Sequence, residues 1–106
     1  MERLDEQGYP TQEFLDYIKA YDFIHSHPMN LFDIIEEVWW GGEWRHKDTK
    51  DRLDQDVHQI GISTWGWSGN EEIIDAMSQN FLLWSMYWVS NERGGHFIFE
   101  IPLENE

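Results

Sequence analysis

The sequence predicts an α+β fold, a two-layer domain in which helices cover a small sheet. Apolar residues recur at helical spacing in the first third of the chain, which indicates amphipathic helices. The second half contains runs rich in β-branched and aromatic residues, bounded by glycine and proline, which are typical of strands. We expect the order α-α-β-α-β-β, with a three-stranded, mainly antiparallel sheet. The 106 residues suit one domain.

Two amphipathic helices are predicted first, over residues 11–25 and 31–40, after a lead-in of residues 1–10 that is expected to fray. Thr11 and Asn30 have side chains that can cap the two helices. The buried stripe of the first is expected to contain Phe14, Tyr17, Ile18, Tyr21 and Ile24, and that of the second Leu31, Ile34, Ile35 and Val38, widened by Phe32 and Trp39.

The rest of the chain is predicted to form a loop, three strands and one helix. Residues 43–56 show no periodic pattern, and the run 45–52 within them, which has no apolar member, is interpreted as an exposed loop or an irregular helical turn. Ser68 and Glu71 have the spacing of a capping box. The predicted strands are 57–64, 82–90 and 96–101, the third helix is 70–80, and residues 91–95 are the loop of a hairpin.

The charge restricts the possible partners. Twenty-one acidic and seven basic residues give a formal charge of −14. This charge opposes direct binding to nucleic acid, whose phosphates need Lys and Arg, and favours attraction to a partner with a basic surface. The absence of cysteine and of a long apolar run, together with a charged N-terminus, predicts a cytoplasmic protein without membrane contact. The oligomeric state stays open.

A glycine- and tryptophan-rich turn and a hairpin loop are candidate ligand sites. Trp65, Trp67 and Ser68 lie where a strand leads into a helix, and Arg93 and His96 flank two glycines. Arg93 is the one cation after Asp56, which makes it conspicuous. If the two blocks lie at the same end of the sheet, they form a pocket for a small ligand. Packing of both tryptophans on the sheet, with an ordinary helix start, is the alternative.

Two further groups of residues are candidates for contact with a partner. We expect Trp40 and Trp44 to be exposed, because seven tryptophans exceed what a small core accommodates, and exposed Trp is common at binding hot spots. Glu36 and Glu37 lie off the apolar stripe of the second helix and are expected to face water. Both could present carboxylates where a nucleic acid would place phosphates.

No catalytic residues, cofactor or metal ligands are predicted. The five histidines have no recognised ligand spacing, and no serine lies in a nucleophile elbow. The glycine spacing matches neither a phosphate-binding loop nor a dinucleotide fingerprint. Binding is therefore favoured over catalysis.

The stretch 62–72 and the turn 93–96 resemble a family of small uncharacterised proteins of bacteriophages and prophages. Members read Ser-Thr-Gly-Gly-Trp-Ser-Gly-Asn-Glu-Glu, followed by Arg-Gly-Gly-His; here Trp65 replaces the first of those glycines. The resemblance covers roughly residues 57–101 and implies a phage accessory role. Together with the charge, it suggests a protein that binds and modulates a host protein, such as a defence nuclease. A small-ligand or nucleotide-binding domain is the alternative.

Overall fold

The computed structural model describes residues 1–41 and 44–103, which form an α+β fold with a four-stranded antiparallel sheet. The general class is confirmed, whereas the number of strands and the order of elements were wrong. The elements are α1 (Gln12–Ala20), α2 (Pro28–Val38), β1 (Arg45–Lys50), β2 (Asp56–Ser63), α3 (Ser68–Gln79), α4 (Phe81–Tyr87), β3 (Trp88–Glu92) and β4 (His96–Pro102).

The strands lie in the order β1-β2-β4-β3, and every neighbouring pair is antiparallel. Opposite residues of antiparallel strands share a face, so Ile60 and Phe99 point to the same side, as do Ile62 and Phe97. Ile60, Ile62 and Phe99 are fully buried in the core. This face of β2 and β4 therefore supplies the floor on which the helices pack.

Phe32 of α2 is the central aromatic residue of the core. Its ring lies 5.5 Å from that of Phe99 and 6.4 Å from those of Trp44 and Tyr87, in tilted or edge-on arrangements that aromatic pairs prefer. Phe32 and Trp39 are both buried, as expected from their position beside the stripe. Helix α2 is thereby anchored to β4, the strand segment around Trp44, and α4.

The segment predicted as a loop over residues 43–56 contains strand β1. Arg45 to Lys50 pair with β2 in continuous register, from Arg45 opposite Gly61 to Lys50 opposite Asp56. The strand has no apolar pattern because it is an edge strand whose side chains are mostly exposed. Charged edge strands are common, since charge discourages pairing with another chain. Strand β1 forms through backbone hydrogen bonds with β2, and such pairing cannot be recognised from the hydropathy of the side chains.

The strand predicted over 82–90 was wrong in its first part, which forms α4. Leu83 and Tyr87, four residues apart, are buried, as on one face of a helix. The Asn80 side chain caps this helix by accepting a hydrogen bond from the Leu83 N–H. The chain becomes extended only at Trp88. The pattern of large apolar residues was therefore compatible with a strand and with a helix. The buried cap residue Asn80 favours the helix.

The predicted helix boundaries also change. Helix α1 ends at Ala20 rather than 25, because the Asn80 amide donates to the carbonyls of Ile18 and Tyr21. Ile24 is consequently 74% exposed. Helix α2 starts earlier than predicted, at Pro28, with His27 and not Asn30 as its cap. The predicted capping box is not formed: Ser68 is the first residue of α3, whose N-cap residue makes no side-chain hydrogen bond.

Asp22 organises the turn that follows α1. One of its carboxylate oxygens accepts the backbone N–H groups of Ile24 and His25, and the other lies 2.7 Å from Nδ1 of His25. The hydrogen bond from the His25 side chain, assisted by the backbone N–H groups, lowers the pKa of Asp22. These bonds replace those of a further helical turn.

The lead-in is closed by hydrogen bonds, unlike the frayed segment predicted for residues 1–10. Leu4 and Pro10 form an isolated bridge, and Asp5 accepts the N–H groups of Gln7 and Tyr9. The N–H of Thr11 donates to the carbonyl of Arg3. Tyr9 is thereby held in place for the contact described below.

Replacing Asn80 by alanine should destabilise the fold. The change removes a helix cap and the buried amide that donates to the carbonyls of Ile18 and Tyr21, so we expect a loss of about 3 kcal/mol in the free energy of unfolding. Urea denaturation measures it. Asn91→Ala is the control, because it removes one hydrogen bond, to Trp88, at an exposed position and should cost about 0.5 kcal/mol. Equal losses in the two variants would contradict this role of Asn80.

Candidate binding surface

Asn70, in the first turn of α3, joins two loops through its buried side chain. Its Oδ1 accepts the backbone N–H of Trp40 at 3.2 Å, and its Nδ2 donates to the carbonyls of Trp40 at 2.9 Å and Thr64 at 3.2 Å. Asn70 is fully buried. The chain after α2 and the loop after β2 are therefore held side by side, although they lie far apart in sequence.

This junction assembles an aromatic patch, which we define as Tyr9, Trp40, Trp65 and Trp67. The Trp67 ring lies 4.9 Å from Tyr9 and 5.5 Å from Trp40, in tilted arrangements. Trp65 covers Gly41, where a Cβ atom would lie 3.4 Å from Cδ1 of the indole. Trp67 also lies against Gly69, where any side chain would overlap its ring. The two predicted tryptophan clusters, around residues 40 and 65–67, thus contribute to a single surface.

Two members of the aromatic patch are strongly exposed. Trp40 is 52% and Trp65 58% exposed, so the prediction for Trp40 is confirmed. Trp65 also has a φ of 59°, in the left-handed region that is uncommon for a bulky residue. The next residue, Gly66, has a φ of 69°. The loop therefore displays Trp65 in a backbone conformation that glycine would adopt at lower cost.

An acidic groove lies beside the aromatic patch, between α1 and α3. Its volume is about 460 Å³. The groove begins at Ser68, next to Trp67, and Glu71, Glu72 and Asp75 line it against the single cation Lys19; the other lining residues are Gln12, Leu15 and Ala76. Glu71, Glu72 and Asp75 are exposed. The surface therefore combines apolar rings with carboxylates.

The prediction that Trp44 is exposed was wrong. Trp44 is 6% exposed and packs edge-on against Phe32 and Trp39, with ring centroids 6.4 and 5.7 Å away. The core of this domain thus accommodates more indole than its length suggested, because Phe32 of α2 and Trp39, which follows α2, pack against Trp44. It is unavailable to a partner in this conformation.

The two glutamates of α2 occupy different environments. Glu37 is exposed and pairs with Arg3, whose Nη1 lies 2.9 Å from Oε1. Glu36 accepts a hydrogen bond from His46, with 2.9 Å between Oε1 and Nε2. Its side chain is 38% exposed. Glu36 is therefore engaged within the fold, and reversal of its charge would disturb β1 as well as the surface.

The two sequence blocks proposed to form a pocket lie side by side. Ser63 is opposite His96, with 2.6 Å between Oγ and Nδ1, and the Thr64 N–H donates to the carbonyl of Gly95. Arg93 is exposed in the hairpin turn. Trp67, by contrast, contacts Tyr9 and Trp40. Three cavities are described in the structure, and none of the three is lined by Trp65, Arg93 or His96.

Sequence reasoning missed Tyr9, Asn70 and the acidic groove. Tyr9 has no spacing relation to the tryptophans, and the groove exists only because α1 packs on α3. Asn70 did carry a signal, since Asn is unfavourable in a helix unless its side chain has partners.

Within residues 1–41 and 44–103, no group of three or more His, Asp or Glu side chains converges as a metal site, and no helix is long and apolar enough to cross a membrane.

Comparison with protein-family models, with curated proteins and with solved structures finds no match to this chain. Its function must therefore be inferred from its own surface.

Asn70→Asp should dismantle the junction with almost no change in shape. The new carboxylate cannot donate to the carbonyls of Trp40 and Thr64, so two acceptors would face a buried charge. We expect a loss of about 3 kcal/mol or more in the free energy of unfolding, measured with urea. Gln55→Glu, at an exposed position in the β1–β2 loop, controls for the added charge and should change stability by about 0.5 kcal/mol or less. Unchanged stability of Asn70→Asp would show that the junction does not need the amide.

Proposed function

We propose that this protein binds a basic segment of a partner protein through the aromatic patch and the acidic groove. The observation that carries the proposal is Trp65. Its side chain is 58% exposed and its backbone is in the left-handed region, so neither burial nor conformational preference accounts for a tryptophan at this position. Strained, exposed aromatic residues are instead typical of contact sites.

The chemistry of the surface favours one class of partner. Exposed indole faces attract Arg and Lys cations, and Glu71, Glu72 and Asp75 line the groove that begins at Ser68, the residue after Trp67, where they can pair with further cations. The overall charge of −14 adds long-range attraction, which raises the rate of encounter. A basic segment with arginines fits this combination of rings and carboxylates better than an apolar or acidic one.

Within this class we infer a nucleic-acid-binding host protein, such as a defence nuclease, as the target of a phage-encoded accessory protein. Rows of carboxylates complement the basic grooves that bind phosphates, and the phage origin rests on the resemblance of residues 62–72 and 93–96. Competition by double-stranded DNA for the bound partner tests this part. A partner that binds DNA and this protein simultaneously would exclude mimicry of nucleic acid while leaving the surface itself unaffected.

The alternative is a small-ligand or nucleotide site at the hairpin, favoured by the contact of Ser63 with His96 and by the exposed Arg93 beside it. Arg93→Ala would then abolish ligand binding with little change in the melting temperature. Loss of binding to a panel of nucleotides, measured by calorimetry, would support this alternative. It does not require Trp65.

Trp65→Gly should separate binding from stability. Glycine relieves the left-handed conformation but adds chain entropy to the unfolded state, so the free energy of unfolding should change by about 1 kcal/mol or less. Affinity for an arginine-rich peptide, measured by calorimetry, should fall by about tenfold or more. Leu53→Gly is the matched control, because Leu53 is 71% exposed in the loop before β2, whereas Trp65 follows β2. Equal affinity of both variants would overturn the role of the aromatic patch.

Reversal of the groove charges should slow association. Glu71→Lys together with Glu72→Lys places cations where the basic segment would bind, so the association rate should fall strongly and the dissociation rate less. Stopped-flow measurements at several salt concentrations test this, since screening acts over about 8–10 Å at physiological ionic strength. Reversing Asp54 and Glu92, which are exposed and do not line the groove, gives the same net charge and serves as the control. Rates that depend only on net charge would show that the groove has no specific part.

A further inference from the structure

Four titratable side chains form a continuous hydrogen-bonded row, Glu36–His46–His58–Asp48, which we call the histidine clasp. His46 Nε2 lies 2.9 Å from Glu36 Oε1, and His46 Nδ1 lies 2.9 Å from His58 Nε2. His58 Nδ1 lies 2.6 Å from Asp48 Oδ1. The row links α2 to β1 and β2.

The two imidazole rings meet nitrogen to nitrogen. Their centroids are 5.1 Å apart and their planes differ by 27°. The distance between the centroids is close to the sum of the N···N distance of 2.9 Å and the distance from centroid to nitrogen in each ring. The two nitrogens therefore point at each other along nearly one line. The contact therefore has the geometry of an N–H···N hydrogen bond.

A count of protons shows what this geometry needs. A carboxylate only accepts hydrogen bonds, so His46 Nε2 and His58 Nδ1 must each carry a proton for the outer contacts. Two neutral imidazoles would then oppose two lone pairs across 2.9 Å. A third proton between the inner nitrogens completes all three hydrogen bonds. We propose that the two histidines share one extra proton, and that this proton closes a pH-sensitive clasp between α2 and the β1–β2 hairpin.

A bridging metal ion does not fit the same geometry. Metal–imidazole bonds measure about 2.0–2.1 Å, so an ion between two opposed nitrogens would hold them about 4 Å apart. The observed distance is 2.9 Å. No third ligand converges on the pair among the residues that the structure describes. A proton is the cation that this space accommodates.

The clasp closes the chain segment that carries part of the aromatic patch. Glu36 and His46 lie at the two ends of residues 36–46, which include Trp39, Trp40 and Trp44. Trp44 also packs against His46, with ring centroids 6.3 Å apart. An open clasp would therefore free the edge strand β1 from α2 and loosen the support of Trp40.

The groups around the histidine clasp carry charges of both signs. The row has two carboxylates and one imidazolium, a net charge of −1. Lys50, on the same face of β1 as Asp48, is engaged with Asp56 at 2.8 Å. His27, at the start of α2, lines a cavity with Asp48 and His58, and Asp33 lies one turn before the clasp glutamate. The nearby groups thus supply both signs, and none of them bridges the inner nitrogens.

The clasp weakens in both directions of pH. At higher pH the shared proton leaves, and the inner lone pairs face each other. At lower pH a fourth proton makes both rings cationic, so that two N–H groups face each other and the rings repel. Protonation of the carboxylates also removes the acceptors of the two outer hydrogen bonds.

The test combines NMR of the histidine rings with a double-mutant cycle. In the wild type at neutral pH, one far-downfield N–H proton should couple to nitrogens of both rings, and it should vanish in His46→Gln and in His58→Gln. Urea unfolding of the two variants and of the double variant should give a coupling of about fivefold or more in the unfolding equilibrium constant near neutral pH. The coupling should disappear at acidic and alkaline pH. His25→Gln, in the separate pair with Asp22, is the control and should leave the NMR signal intact.

Three outcomes would overturn the proposal. One is strictly additive losses of stability at every pH. Another is an NMR spectrum in which both rings are neutral at neutral pH, which needs only the wild-type protein and so remains informative if a variant does not fold. The third is a signal or stability that EDTA removes and Zn²⁺ restores, which would assign the bridge to a metal ion. None of these readouts depends on the proposed partner.

Discussion

The amide side chain of Asn70 holds the backbone of Trp40 on one side and that of Thr64 on the other, and the arrangement of the surface depends on these three hydrogen bonds. The Asn70 side chain that makes them is fully buried, and a buried polar group left unpaired is costly. The amide can donate twice and accept once in the required directions, which no residue of similar shape can do. The aromatic patch exists because two loops meet at this residue.

Residues 39–41 and Trp44, which lie between α2 and β1, are held by several contacts. Asn70 holds the backbone of Trp40, and the indole of Trp39 donates to the carbonyl of Ser63 at 2.9 Å. The histidine clasp joins α2 to β1, and Trp44 is packed in the core. These residues thus contribute buried rings to stability and one exposed ring to the surface. A partner that contacts Trp40 would meet a backbone already held in place, which limits the entropy lost on binding.

The distribution of charge complements this arrangement. The carboxylates of Glu71, Glu72 and Asp75 line one groove beside Trp67, while four of the seven cations lie in residues 45–52, in and just after the edge strand. The acidic surface is therefore not uniform. The proposal that it is a binding surface rests on the combination with exposed indoles, since acidic residues alone are equally consistent with solubility.

The sequence by itself determined the fold class, the three earlier helices in approximate position, strands β2 and β4, and the hairpin that ends in β4, because each has a hydrophobic period or turn residues of its own. It also determined the net charge and the excess of tryptophan. Tertiary structure decided the rest. Strand β1 exists through backbone pairing with β2, α4 through the cap of Asn80, and the burial of Trp44 through enclosure by α2. The meeting of Tyr9, Trp40, Trp65 and Trp67, and of His46 with His58, depends on contacts between distant segments, which no local pattern of residues specifies.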